Sequence, residues 1–392
     1  MSSRRSVLGL IAGGAAGMWC GLPGLAFAAV PSERRLVVVL LRGGMDGLSA
    51  VPAIGDPDFR SARMGLAPDP ASVKPLDGMF ALHPRLAALA AMYARGELAV
   101  LHAVATPYRD RSHFDGQNLL ESGAEAPYVR DSGWLNRALA GLSGAGGRSG
   151  GIALNTGMPL ILRGSASVTS WSPATLPGPD QDTEQRLAQL YARTDPRLAD
   201  AFSRAAMANG VAARPGPGGR AFSGLMEAAA RFLKQADGPR IAVVESGGWD
   251  THVNQAAEAG PLANNLASLD RGIDALRQDL GVLWDRTVVL AVSEFGRTVA
   301  QNGTRGTDHG TGGAMFVAGG AVRGGRVIAD WPGLKAGQRH EGRDLMPTTD
   351  FRSVALGILR EHLGLAEQQF ANVFPAARPV RPFEGLVHDR SG

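Results

Sequence analysis

Arg35-Leu36-Val37-Val38-Val39-Leu40-Leu41 runs directly into Arg42-Gly43-Gly44-Met45-Asp46-Gly47-Leu48-Ser49. The first seven residues form a continuous apolar, β-branched run without alternation, which is the pattern of a strand buried on both faces of a parallel sheet. The glycine pair then breaks the strand and opens a loop. Leu98-Ala99-Val100-Leu101-His102-Ala103-Val104, Ile241-Ala242-Val243-Val244-Glu245 and Thr287-Val288-Val289-Leu290-Ala291-Val292 repeat the design, and Ala314-Met315-Phe316-Val317-Ala318 adds a fifth strand. Helical segments are expected at 84–95, 262–284 and 349–363. In the second of these, Leu266, Leu269, Ile273, Leu276 and Leu280 fall on one stripe. Strands alternating with helices predict an α/β fold, a doubly wound and mostly parallel sheet with helices on both faces. Residues 142–219 differ, being rich in Gly, Ser, Pro and Arg with short helices near 183–193 and 197–207. They are read as an irregular excursion that caps the sheet. No internal repeat or heptad pattern is present.

The N-terminus carries Ser3-Arg4-Arg5-Ser6-Val7-Leu8-Gly9, then an uncharged, glycine-rich apolar stretch ending in Ala26-Phe27-Ala28. Paired arginines ahead of a weakly apolar run and a small-x-small cleavage site are the pattern of a twin-arginine export signal over residues 1–28. That reading makes the translocase a transient partner and the location periplasmic or secreted. The twin-arginine route carries folded proteins, and a chain is often sent this way because it must collect a metal or cofactor before export. The stretch is too short and glycine-rich to remain as a spanning helix, and no later run is long enough to cross a membrane. Residues 29–392 are then expected to form a single α/β domain, a length that supports a sizeable core. The one cysteine, Cys20, leaves with the signal, which excludes disulfides, thiol chemistry and Cys-ligated metal from the mature protein. The formal charge of +4 includes Arg4 and Arg5, so +2 remains after cleavage. No segment clusters arginine with aromatic residues, and nucleic-acid binding is not expected.

Ligands of open α/β sheets bind beyond the carboxyl ends of the strands. The chain's densest acid–histidine groups fall there: Asp46 after the first strand, and Arg109-Asp110-Arg111-Ser112-His113-Phe114-Asp115 after the second. Glu245-Ser246-Gly247-Gly248-Trp249-Asp250-Thr251-His252 follows the third, and Ser293-Glu294-Phe295-Gly296-Arg297-Thr298 closes the fourth, continuing to Thr307-Asp308-His309-Gly310. His113, His252 and His309 each lie within two residues of an aspartate, a composition suited to oxygen/nitrogen coordination of zinc or manganese. Each group also fits a plainer role. Asp46 suits a turn, and Ser112 with Asp115 suits a helix start at His113. Glu294 suits an ion pair with Arg297, and Asp308-His309 suits a hydrogen-bonded loop. Their joint occurrence at four sheet-end loops favours one site.

These same blocks resemble the bacterial exported family catalogued as domain of unknown function 1501, which is grouped with the alkaline-phosphatase and sulfatase superfamily. The resemblance spans the mature chain and implies an alkaline-phosphatase-like fold with two metals at the end of the sheet. It implies Asp46 as the first-strand metal ligand, Asp250 and His252 as later ligands, His309 as the last, and Glu294 as the acid closing a strand. Phe295 stands where superfamily phosphatases place a histidine, and one residue rather than three separates Asp250 from His252. Asp308-His309 is the alternative Asp–His pair. One centre (Asp250, His252, His309) is thus nearly complete, and a second (Asp46, Glu294) lacks a ligand.

By the same resemblance the best positional match for the nucleophile is Ser112, where Arg109 or Arg111 could hold an oxyanion; under a hydrolase reading Arg297 would neutralise a small anionic substrate. A Cys/Ser-x-Pro-x-Arg motif is absent from the mature chain, which disfavours an ordinary sulfatase. A Gly-x-Ser-x-Gly elbow is also missing, which disfavours an α/β-hydrolase esterase. Two functions are carried forward. One is an exported metal-dependent hydrolase of phosphate or sulfate esters, attacking through Ser112 or an activated water. The other is a non-catalytic binding or assembly factor on the same fold. Changing Arg4 and Arg5 together to lysine is expected to leave an uncleaved cytoplasmic precursor, read by fractionation and immunoblot. Normal processing of that double variant would contradict twin-arginine export.

Overall fold

The computed structural model describes residues 33–143, 150–155, 157–173, 181–212 and 221–388. The expected signal at 1–28 lies outside them, as do parts of the expected excursion at 142–219. β1 (Arg35–Leu41) is buried along its whole length. It pairs in parallel with two strands at once. Leu36–Leu41 match Ile241–Ser246, and Arg35–Leu41 match Thr287–Ser293. Its two faces feed two separate cores, Val37, Val39 and Leu41 in one and Leu36, Val38 and Leu40 in the other. An interior strand covered on both sides has no polar face, which is why the run shows no alternation.

After β1 come the helical turn α1 (Gly47–Ala50), the short α2 (Phe59–Arg63), the two-residue hairpin β2 (Lys74–Pro75) and β3 (Ala81–Leu82), and α3 (Ala87–Ala94). The middle of the chain holds β4 (Leu98–Ala105), α4 (His113–Ser122), α5 (Trp134–Ser143), β5 (Gly151–Leu154), β6 (Val168–Trp171), α6 (Gln181–Thr194), α7 (Pro196–Ala212), α8 (Phe222–Lys234) and β7 (Ile241–Ser246). The last third holds α9 (Pro261–Leu280), β8 (Thr287–Ser293), β9 (Gly313–Ala318), β10 (Arg326–Ile328), β11 (Thr349–Asp350), α10 (Phe351–Ile358) and α11 (Phe370–Val373). The main sheet has the order β10-β4-β9-β8-β1-β7-β5-β6, with β11 also on β4.

The five strands read from the sequence are all present. The described part of the stretch at 142–219 is not wholly irregular, because its β5 and β6 extend the sheet in parallel beyond β7. Their four-residue runs are too short to stand out from a Gly/Ser-rich background. β9 is antiparallel to both neighbours, β4 and β8, while the other pairings of this sheet are parallel. The entrance to β9 therefore lies at the same sheet end as the exits of β1, β4, β7 and β8.

α9 shows how the layers are built. Leu262, Leu266, Leu269, Ile273, Leu276 and Leu280 sit on one buried stripe and join the core that contains Met226 and Phe232 of α8. α5 and α10 cover the opposite face, with Leu135, Leu139, Val354, Leu356 and Ile358 in the second core. α3 has no side-chain cap of its own, and Asp270 of α9 supplies one by accepting from the Ala88 and Leu89 N–H groups at 3.0 and 2.9 Å. Among the described residues no helix is long and apolar enough to cross a membrane.

β4 carries an irregularity at Ala103, whose φ is 55°. His102 Nδ1 accepts the Ala103 N–H at 2.9 Å, so its Nε2–H donates to the Val51 carbonyl at 3.0 Å. The ring is fully buried between Phe80 and Trp331. Burial pushes its pKa down to about 4. The unfolded chain, with an ordinary value of about 6.5, therefore takes up a proton that the native state refuses. Above pH 6.5 this difference has no effect, and it costs stability as pH falls toward 4, by up to about 3 kcal/mol. Denaturant unfolding is expected to show that loss on acidification. His102→Gln, which keeps a donor and an acceptor but does not titrate, should flatten it. An equally steep acid loss in the variant would contradict the assignment.

Candidate metal centre

The loop after β1 is shaped by backbone contact. A Cβ on Gly43, whose φ is +123°, would stand 2.5 Å from the Asp250 nitrogen, so only glycine lets the 249–250 backbone pass. A Cβ on Gly306 would stand 2.2 Å from the His252 carbonyl oxygen, which ties the loop before β9 to the loop after β7. Three loops are thereby pressed together at one end of the sheet.

At their junction His113, Asp250 and His309 offer ligand atoms that all lie within 4.8 Å of one another. Asp250 Oδ1 is the common point, 3.4 Å from His113 Nε2, 2.9 Å from His252 Nε2 and 3.2 Å from His309 Nε2. Each imidazole is held at its other nitrogen by an acceptor. His113 Nδ1 meets Glu294 Oε1 at 2.8 Å, His252 Nδ1 meets Asp308 Oδ1 at 3.2 Å, and His309 Nδ1 meets the Arg111 carbonyl at 2.8 Å. Carboxylates and carbonyls only accept, so a cation at the Nε2 atoms would leave the proton of each neutral ring on Nδ1, whereas without one Asp250 Oδ1 is also an acceptor within reach of Nε2 of His252 and His309. The three Nε2 atoms face inward around Asp250.

Such an arrangement needs a cation or a proton. His252 Nε2 and His309 Nε2 are 3.0 Å apart, and His113 Nε2 is buried without a hydrogen-bond partner. Nitrogen and oxygen ligands about 2.0–2.1 Å from a tetrahedral zinc lie about 3.3 Å from each other, close to the separations seen here. Imidazoles whose far nitrogens are tied to carboxylates and carbonyls are also the usual outer support of a metal. The residues present therefore fit a divalent ion. Asp250 and His252 are 43% and 38% exposed, which leaves the centre open on one side.

The electrostatics follow from these partners. The hydrogen bond to Glu294 raises the His113 pKa above the ordinary value, despite partial burial that acts the other way. Burial lowers that of His309. Burial would raise the Asp250 carboxyl, but Arg297 at 2.6 Å, with the nearby histidines, holds it below the usual range. Burial opposes ionisation of Glu294 too, yet donors from His113, Gln117 and the Gly43 N–H keep its pKa low.

The expected residues fall in three layers. Asp250, His252 and His309 converge as one group. Glu294 and Asp308 sit behind it, each orienting a histidine. Asp46 lies deeper and outside the group. It caps α1, and its Oδ2 receives Arg63 at 2.5 Å, Gln255 at 2.6 Å and the Ser49 hydroxyl at 2.8 Å. Arg63 and Asp46 are both buried, and removing one partner of such a pair costs about 3–5 kcal/mol. A metal on Asp46 would have to displace Arg63, and among the described residues Asp46 and Glu294 do not join the His113–Asp250–His309 group.

Arg297 is likewise buried and engaged, with donors on Asp250, Thr307 and the Gly43 carbonyl, and so holds Asp250 rather than a substrate anion. Arg109 donates to the Thr106 and Tyr108 carbonyls, and Arg111 to Glu341 and Asp344, so neither aims at the centre. Ser112 precedes α4 and makes no side-chain cap, while its N–H donates to the Tyr108 hydroxyl. Phe295, where the resemblance places a histidine, packs its ring on His113 and His309.

His113 joins the group although the sequence marks it only as a loop histidine beside an aspartate and the resemblance gives it no ligand role. Ser112 and Asp115 explain it as a helix start, and they conceal that the first residue of α4 faces the sheet end. Gln255 is a second residue not read from the sequence. Its Nε2 donates to Asp46 and its Oε1 accepts from the Thr251 and Thr307 hydroxyls, joining the buried pair to the loops of the centre. Nothing in its sequence context marks it.

Residues 79–364 match a family described as Protein of unknown function (DUF1501). No curated protein sequence matches the chain. Among solved structures, the chain is similar to the C-terminal periplasmic domain of EcEptC from Escherichia coli in complex with zinc, at 11% identity over 76% of each chain with a TM-score of 0.37. It is also similar to a phosphonate monoester hydrolase of Agrobacterium radiobacter, at 13% identity over 76% of this chain and 70% of that one, TM-score 0.33. A TAB5 alkaline phosphatase mutant with magnesium bound gives 13% identity over 76% of this chain and 94% of that one, TM-score 0.36.

Zinc is expected to bind stoichiometrically and raise the melting temperature, since a ligand of the native state stabilises it by mass action. His113→Ala should reduce both effects, and His388→Ala, at an exposed position, neither. Binding requires neutral imidazoles, so affinity should fall as pH drops. The fall should begin above about pH 6.5, because the raised His113 pKa keeps that ring protonated to higher pH. Calorimetric titration checks both points.

Proposed function

We propose that this chain, which belongs to the DUF1501 family of proteins of unknown function, works as an exported metal-dependent hydrolase of phosphate or sulfate esters. The observation that carries the reading is the convergence of three Nδ1-anchored imidazoles on Asp250 Oδ1 at an open sheet end. His113, Asp250, His252 and His309 would hold one ion, zinc or manganese by donor type. Bound there, it supplies Lewis acidity to the ester and activation of water. Arg297 keeps Asp250 ionised and in place, and Glu294 and Asp308 fix two of the rings. Ser112 leaves the first turn of α4 without a side-chain cap, so the helix N–H groups can meet an anionic oxygen. Ser112 itself stays the candidate nucleophile against water. A signal at 1–28, and metal loading of the folded 29–392 domain before export, belong to the same proposal.

A second reading, a metal-bearing binding or assembly factor, is favoured by the engagement of Asp46 with the buried Arg63 and of Glu294 with His113, since two-metal esterases need such acids free for a second ion. Turnover decides between them. Zinc- and manganese-loaded protein is expected to hydrolyse members of a panel of aryl phosphate mono- and diesters and aryl sulfates. Chelation should abolish the rate, and Asp250→Asn should lower it at least about a hundredfold. Ser112→Ala should cost a similar factor if the serine attacks, and only a few-fold if water does. Stoichiometric metal without turnover of any ester would overturn the hydrolase and leave the binding factor.

A further inference from the structure

Arg111 makes two kinds of contact in opposite directions. Its carbonyl accepts from His309 Nδ1 at 2.8 Å, the bond that turns His309 Nε2 toward Asp250. Its guanidinium reaches away, with Nε donating to the buried Asp344 at 2.8 Å and Nη2 to the exposed Glu341 at 2.5 Å. The residue sits at φ +65°, in the left-handed region that glycine enters freely and other residues rarely do. A side chain persists there only when its surroundings hold it. Here two carboxylates grip the guanidinium. The same segment also braces the far side of the histidine, since Arg343 donates to the His309 carbonyl and the Leu345 carbonyl accepts from the Thr311 hydroxyl.

Given that the cluster holds a divalent ion, we infer that Arg111 is a positioning residue for His309: its ion pairs with Glu341 and Asp344 fix the carbonyl that orients the ring and thereby set metal affinity. The guanidinium does not bind substrate. Partly exposed ion pairs such as Arg111–Glu341 add little to global stability. Loss of that pair in Glu341→Gln should therefore appear in metal affinity and ring orientation more than in the melting of metal-free protein, whereas Arg111→Ala also strips a partner from the buried Asp344 and is expected to lower the melting temperature as well.

The test is a zinc titration of the full-length mature protein with Arg111→Ala, Arg111→Lys and Glu341→Gln, alone and combined with His309→Ala. Arg111→Ala is expected to raise the zinc Kd about ten- to a hundredfold, the usual cost of losing an outer-shell partner. Arg111→Lys, which keeps one ion pair, should recover part of it. With His309→Ala already present, Arg111→Ala should change the Kd by less than about threefold, because the residue acts through that ring. A comparable loss in both backgrounds would overturn the inference and make Arg111 a general support. If Arg111→Ala does not fold, Arg111→Lys and Glu341→Gln decide, and a wild-type Kd in both overturns it.

Wild-type protein that binds no zinc, with His309→Ala indistinguishable, would instead refute the metal centre. The metal-free protein still answers for Arg111. Nitrogen-15 NMR should find His309 as the Nδ1–H tautomer in the wild type and a mixture in Arg111→Lys and Glu341→Gln. An unchanged tautomer in both rules the positioning role out.

Discussion

The parallel pairing of β1 with β7 and β8 sets Leu41 level with Ser246 on one side and Ser293 on the other. Three chain segments therefore leave the sheet at one height, and what they carry next must share a small space. Gly43 and Gly44, the run from Gly247 to His252, and Glu294 to Arg297 are the contents of that space. The pairing is stable because β1 is covered on both faces, by α8 and α9 on one side and α5 and α10 on the other. Apolar burial thus aligns the strands, and strand alignment gathers the polar residues.

Gathering them creates an electrostatic problem that the surrounding hydrogen bonds answer. Asp46, Asp250 and Glu294 are carboxylates at or near one sheet end, and each has its own solution. Asp46 has a buried arginine, Asp250 has Arg297, and Glu294 has an imidazole, an amide and a backbone N–H. Gln255 and the hydroxyls of Thr251 and Thr307 tie the first two systems together. The outcome is one carboxylate, Asp250, left partly exposed among three inward-facing imidazole nitrogens. The other two are used as structure. Because each histidine is anchored at Nδ1 by a different segment, the cluster is only as well formed as the packing of those segments.

Several members of this site were legible in the chain because local pattern alone places them. A β-branched run followed by glycine is a buried strand and its exit, so Asp250, His252 and Glu294 could be assigned to one end of a sheet before any packing was known. Roles were harder to read than places. Asp46 and Glu294 carry the same kind of position, and nothing in Gly-Met-Asp-Gly announces that Arg63, 17 residues on, will fold under Asp46. Arg297 reads equally well as an anion binder or as a partner to an acid. His113 sits behind so good a helix start that its second role is masked.

The sequence by itself determined the layered α/β plan, the strands at its centre and the loops where chemistry collects, because strand periodicity and glycine punctuation act over a few residues. The tertiary structure decided which side chains meet. The reversal of β9 brings His309 to the sheet end at which β1, β7 and β8 leave, and a parallel β9 would have sent it to the opposite end. The left-handed turn at Arg111 decides where that histidine points. Strand direction and ion pairs depend on partners beyond the reach of a local run, from Arg63, 17 residues past Asp46, to Asp344, 233 residues past Arg111, and no local run of amino acids encodes them.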